Sequence, residues 1–271
     1  MLGQKHHSRI NEGHVLGLGI KYKNKNLSSK IELTKQQNFK RIFDGSYIDY
    51  SSGISTFGIG SINRNWSFSP NTSLILSSNA RPIPSAYFKL KTYNKPSISA
   101  LSWLGPWSIE AFNGILDVDR GPHEALLLGT RATINPLKGL DIEFIQTSQW
   151  GGDGYRNDYK ALESAFIGNT NEDSSDYINK MAGIGLSYQF PVTLIPIRLY
   201  GQAIGEDEAG NLPSCFMHMY GVDWLGNIAQ KPLNINLEVV DTRIDDTSHG
   251  NCGANTAYNN STYSYLSLIH I

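Results

Sequence analysis

Two-residue alternation constrains this chain more than any other feature. In the stretch 14–23, Leu16, Leu18, Ile20 and Tyr22 share one face, and Gly17, Gly19, Lys21 and Lys23 share the other. Leu140, Ile142 and Phe144 oppose Asp141 and Glu143. Ala182, Ile184, Leu186, Tyr188 and Phe190 oppose Gly183, Gly185, Ser187 and Gln189, and Leu233, Ile235, Leu237 and Val239 oppose Asn234, Asn236 and Glu238. Successive strand side chains point to opposite faces, so each run reads as a strand with one apolar side. The reading gives about fourteen strands of roughly ten residues, the length a tilted membrane-spanning strand needs. Strands of a soluble sandwich run nearer five or six residues. Only 158–168 reads as a short helical piece, set inside a loop.

The links between these runs alternate in length. Those at 135–139, 191–194 and 226–231 are short; those at 150–179, 206–213 and 243–256 are longer. An up-and-down barrel does this when its turns face the periplasm and its loops face outward. Strand parity then puts the three longer links on one rim, and counting backward adds 117–123. The same count puts Trp103 and Trp107 on the opposite side, where an interfacial aromatic belt is the expected role, with an apparent turn at 79–82 beside them. Greek-key sandwiches give no such two-sided alternation. The fold class is therefore all-β: an antiparallel up-and-down transmembrane β-barrel of the outer-membrane type, incomplete in this chain. One domain is expected over 14–265, with 1–13 an N-terminal remnant and 266–271 a truncated or non-native tail.

Composition narrows the classes that remain. Charged residues make up 17%, with 26 Gly and 14 Tyr, which suits strands that are apolar on one side only. No stretch of about 18 apolar residues exists, so no transmembrane helix is expected. The net charge of -1 argues against nucleic acid as a partner. The first thirteen residues lack the apolar core of a signal peptide, so the chain is either cytoplasmic or Met1 is not its natural start. Cys215 and Cys252 form a disulfide only if the fold brings them together.

Three clusters on the inferred rim carry the chemistry. Trp150-Gly-Gly-Asp153-Gly-Tyr-Arg156 joins an aromatic face, flexible backbone, a carboxylate and a guanidinium. Sugars stack on aromatic rings, and the planar Arg fork matches the carboxylate of an acidic polysaccharide. Glu206, Asp207 and Glu208 are consecutive acids; Asp117, Asp119 and Arg120 form a smaller group. Each carboxylate set fits solvated loop acids, a site for sugar hydroxyls or a cation, or paired catalytic acids. The 7 His residues show no HxH or HExxH spacing, so no catalytic metal is expected. With no phosphate-binding or dinucleotide fingerprint, no cofactor is expected.

Five motifs together resemble the Wzi family of capsule-assembly outer-membrane proteins. They are SLILSSNARPIP at 73–84, LSWLGPWSIEAFNGILDVDR at 101–120, TSQWGGDGYR at 147–156, LYGQAIGEDEAGNLPS at 199–214 and NTAYNNSTY at 255–263. The resemblance implies an outer-membrane barrel, eighteen-stranded in the family, that holds capsular polysaccharide at the cell surface in a lectin-like way and catalyses nothing. It also implies a signal peptide and a periplasmic helical segment, neither of which is seen here. The end at LSLIHI (266–271) departs from the family, so the chain reads as a fragment. The expected partners are capsular or other acidic polysaccharide and outer-membrane lipid. The alternatives are a carbohydrate-active enzyme on a β scaffold and a general porin.

Overall fold

The computed structural model describes residues 16–35, 43–76, 81–116, 122–167, 178–209, 212–228, 231–244, 252 and 263. They form one curved antiparallel sheet in which each strand pairs with its neighbours in sequence. The strands are β1 (Leu16–Lys23), β2 (Leu27–Lys35), β3 (Tyr47–Ser52), β4 (Ser55–Ser61), β5 (Pro84–Thr92), β6 (Trp107–Ile115), β7 (Leu126–Leu137), β8 (Leu140–Trp150), β9 (Asn179–Gln189), β10 (Ile197–Ala209), β11 (Leu212–Ile228) and β12 (Lys231–Asp241). This is the up-and-down order expected. Among the described residues the strands number twelve, against the expected count of about fourteen for spans of this length. Residues 1–15 and 264–271, which cover the proposed remnant and tail, lie outside the described residues.

The two rims differ as link length indicated. One carries two-residue turns between β3 and β4 and between β7 and β8, and the short link from β11 to β12. It also carries a 3-10 helix at Ser99–Leu104 that alternation does not reveal, with Trp103 60% exposed on it. The other rim carries the connections at 62–83, 116–125 and 151–178. Arg81 and Pro82 therefore belong to this long-loop rim, not to the short-turn side where the sequence reading put them.

One link expectation is corrected. Glu206, Asp207 and Glu208 lie not in a loop but within β10, which runs to Ala209 and pairs with β11. Asp207 stands opposite Ser214 and Glu208 opposite Pro213. The loop reading failed because a strand that projects beyond the lipid band needs no apolar face and loses its alternation. At the root of this projecting hairpin, Cys215 adopts φ 53° and is disulfide-bonded to Cys252, with Cα atoms 5.7 Å apart. The bridge ties the hairpin to the chain that follows β12.

The core lies inside the curve of the sheet. The link between β4 and β5 does not stay at the rim but folds inward. Trp66, Leu74, Ile75 and Leu76 are buried against inward residues of the wall, among them Phe112, Leu127, Ile145, Ile204, Met217 and Met219. Trp66 meets Phe112 edge-on with ring centroids 5.3 Å apart, an arrangement the ring quadrupoles favour. Gly129 makes this approach possible, since a Cβ there would collide with Phe112 and Trp66.

Wall side chains also hold this plug through hydrogen bonds. The Gln202 amide accepts from the Leu74 N–H at 2.9 Å and donates to the Trp66 carbonyl at 2.7 Å. Thr72 Oγ1 donates to Glu238 at 2.8 Å, Ser69 Oγ donates to the same carboxylate, and Asn71 reaches Asn236 at 2.9 Å. Beneath it, the fully buried Glu143 carboxylate accepts from Arg131 and, at 3.1 Å, from Gln202. Buried polar groups are expensive unless paired, and pairing on both sides of each contact fixes the plug in one register.

Candidate functional site

The loop after β8 is built on glycine geometry. Gly151 and Gly152 sit at φ 63° and 96°, backbone that residues with a Cβ rarely adopt. A Cβ on Gly152 would press on the backbone of His123 and Ala125. Two neighbouring links therefore join. The Asp153 N–H donates to the His123 carbonyl at 2.8 Å, and the Gly152 N–H donates to Asn157 Oδ1 at 2.9 Å. Tyr155 closes the turn onto the Gly152 carbonyl at 3.0 Å.

Trp150 is not the exposed platform that its motif suggests. It is 3% exposed, packs with Leu128, Ala161, Ala165 and Ile178, and donates its indole N–H to Asn113 at 3.2 Å. Burying so large a ring anchors the loop and leaves no face for a sugar. The rim aromatic is instead the half-buried Tyr155, 6.2 Å between centroids from Tyr263. Tyr263 is buried and donates its hydroxyl to the Gly151 carbonyl at 3.2 Å. That burial, with Tyr155 beside it, pushes the Tyr263 hydroxyl above the ordinary tyrosine range.

Asp153 is exposed on the loop. Arg156 pairs with Asp158 at 2.6 Å, and Asp158 caps the next helix by accepting from the Ala161 N–H at 3.0 Å. The Arg156 hydrogen bond, followed by that backbone bond, holds the Asp158 carboxyl below its ordinary value of 3.8. Exposed acceptors and a guanidinium within one short loop suit sugar hydroxyls and sugar carboxylates alike.

A family model for the capsule assembly protein Wzi matches residues 11–266. The chain belongs to the Wzi family. Among solved structures it is similar to Wzi of Escherichia coli, described as an outer-membrane protein involved in group 1 capsule assembly and a carbohydrate-binding β-barrel. The TM-score is 0.79 at 23% identity, over 92% of this chain and 54% of that one. It is also 27% identical, over 68% of its length, to an uncharacterised 55.8 kDa protein of the cps region of Klebsiella pneumoniae. This Wzi chain spans 37% of that relative's length.

The candidate residues divide within the Wzi fold. Asp153 and Arg156 share one loop, while Trp150 lies beneath it. Asp117, Asp119 and Arg120 lie outside the described residues, although His123, just beyond them, is bonded to Asp153. Glu206, Asp207 and Glu208 belong to a hairpin on the same rim, separated from the Trp150 loop by β9. Among the described residues no group of three or more His, Cys, Asp or Glu is placed to hold a metal ion. Sequence reading missed Tyr155, Asn157, Asp158 and Tyr263. Asp158 carried a signal, since Asp directly before a helical stretch is a preferred N-cap. Tyr263 carried only its place in a family motif.

Proposed function

We propose that this Wzi chain forms part of an outer-membrane barrel whose long-loop rim binds capsular polysaccharide and holds it at the cell surface. The observation that supports this best is the union of two rim links, through Asp153 and His123, above a wall whose interior is filled. That arrangement presents a fixed polar surface outward, with the Trp66 and Leu74–Leu76 segment packed behind it. Asp153, Tyr155 and Arg156 supply an acceptor, a ring and a cationic fork to the glycan. The Glu206–Glu208 hairpin lies on the same rim, and Asp117, Asp119 and Arg120 stay candidates in the link between β6 and β7. The acids of that hairpin would repel an anionic polymer unless offset, so the arginines carry the recognition of acidic sugars.

Binding without catalysis is the reading we adopt over the enzyme alternative. A glycosidase needs two carboxylates flanking the bond with a fixed separation, and the carboxylate nearest Asp153 in its loop, Asp158, is engaged by Arg156 and the Ala161 N–H. The general-porin alternative is disfavoured by Trp66 and Leu74–Leu76 packed inside the sheet. Deleting the gene in a capsulated host should release capsule into the medium, measured as the ratio of free to cell-attached uronic acid or total sugar. Undiminished attachment would refute the proposal.

A further inference from the structure

The helix α1 (Tyr159–Ile167) does not pack inside the barrel. Its buried residues Ala161 and Ala165 lie with Leu128 and Trp150. These two wall residues are on the outward face: Leu128 alternates with the inward Leu127, and Trp150 shares parity with Phe144. The helix therefore lies against the outside of β7 and β8, next to the wall that faces lipid.

Between the outward Phe144 and Trp150 of β8 stand two polar residues, Gln146 and Ser148. Ser148 donates to the Ala165 carbonyl at 2.7 Å, and Gln146 donates to the Phe166 carbonyl at 2.9 Å. Last-turn helix carbonyls lack intrahelical partners. In a membrane each unpaired polar group is costly, so wall and helix satisfy one another where water is scarce. The last turn of the helix is apolar: Phe166 is 57% exposed and Ile167 65%, at the level where the outward band of Phe144 and Ile184 begins. Lys160 and Glu163 are exposed on the rest of the helix. An apolar last turn below a charged, exposed start suits a helix whose end dips into a membrane interface.

We propose that α1 is an interfacial helix, its Phe166–Ile167 end seated in the headgroup–acyl boundary of the outer leaflet. The occupant is lipid because this surface continues the lipid-facing wall. The inference rests on the membrane-barrel reading. The helix then fixes the height and tilt of the Asp153–Arg156 loop, to which Asp158 links it, relative to the membrane surface.

The test is site-directed spin labelling of the full-length protein in vesicles of phosphatidylethanolamine and phosphatidylglycerol. Phe166→Cys and Ile167→Cys are compared with Phe144→Cys on the wall and His123→Cys on the rim, after a heat-modifiability check of folding. The expected result is collision with oxygen well above collision with a nickel chelate at 144, 166 and 167, and the reverse at 123. Chelate access at 166 and 167 with lipid access at 144 would overturn the helix proposal alone. Low access to both at 166 and 167 would mean that protein covers the helix, and would overturn it too. Chelate access at 144 would instead refute the membrane barrel. Two labelled helix positions keep the test decisive if one variant fails to fold.

Discussion

The two faces of one strand, β10, differ as if they stood in different solvents. Inward, Tyr200, Gln202 and Ile204 are buried, and the two polar ones are bonded to partners on the wall or plug. Outward, Leu199 is 46% exposed and has Gly201 and Ala203 for company. In a water-soluble protein the apolar face would be covered and the polar face wet. The inversion means that the outer face is solvated by hydrocarbon and that the interior is a packed core in which most polar groups are bonded. It also explains how a chain with a mean hydropathy of -0.30 can line a membrane: only alternate residues need be apolar.

The largest effect is expected inside. Glu143→Ala strips the buried partner from Arg131 and should destabilise the folded barrel by about 3–5 kcal/mol, the usual cost of leaving a buried charge unpaired. Urea unfolding in detergent or vesicles measures it. Next comes the outer face: Ile184→Arg, near mid-strand, should cost about 2–4 kcal/mol in a bilayer, read from the same titration. A negligible cost there would mean that this face meets water.

A smaller effect is expected at the plug. Gln202→Ala removes its bonds to the Leu74 N–H and the Trp66 carbonyl, which keeps its bond from Ser73, a loss of about 1–3 kcal/mol. It should accelerate hydrogen exchange at Leu74 and raise single-channel conductance in planar bilayers. Unchanged exchange would show that apolar packing alone holds the plug.

The smallest effect is at the rim. Asp158 titrates below its ordinary value in the folded state, so its stabilising contribution is present above that value and is lost as pH falls through the lower, folded one. Exchange at the first turn of α1 should speed up in that acid range, and Asp158→Asn, which can still cap, should flatten the dependence.

Alternation made much of the barrel legible. Where one face meets lipid and the other a packed interior, every residue reports its side, as Ile184 and Gly185 do in β9. The pattern fell silent where that contrast ended. In β10 beyond Gly205 the wall projects past the lipid, and three acids passed for a loop. The plug was illegible for a related reason. A link that folds inward is buried on all sides and has no period, so Trp66 and Leu74–Leu76 gave no sign of their position. Trp150 misled because a Trp beside glycines reads equally as a sugar platform or as an anchor. The deciding contact, Ala161 and Ala165 of α1, comes from a helix that was visible in sequence but not placed against the wall. Tyr263 reaches Gly151 across 112 residues, a distance no local pattern spans.

The claim on which the account turns is that the rim binds polysaccharide through the loop after β8. It is tested most directly by titrating purified capsular polysaccharide into the full-length protein and into Arg156→Glu, with folding of both confirmed by heat modifiability. The account predicts saturable binding to the parent and at least about tenfold weaker binding to the variant, the 1.4 kcal/mol or more expected when a charge-assisted contact is reversed in sign. Equal affinity in the two proteins, or no binding by the parent, would contradict it.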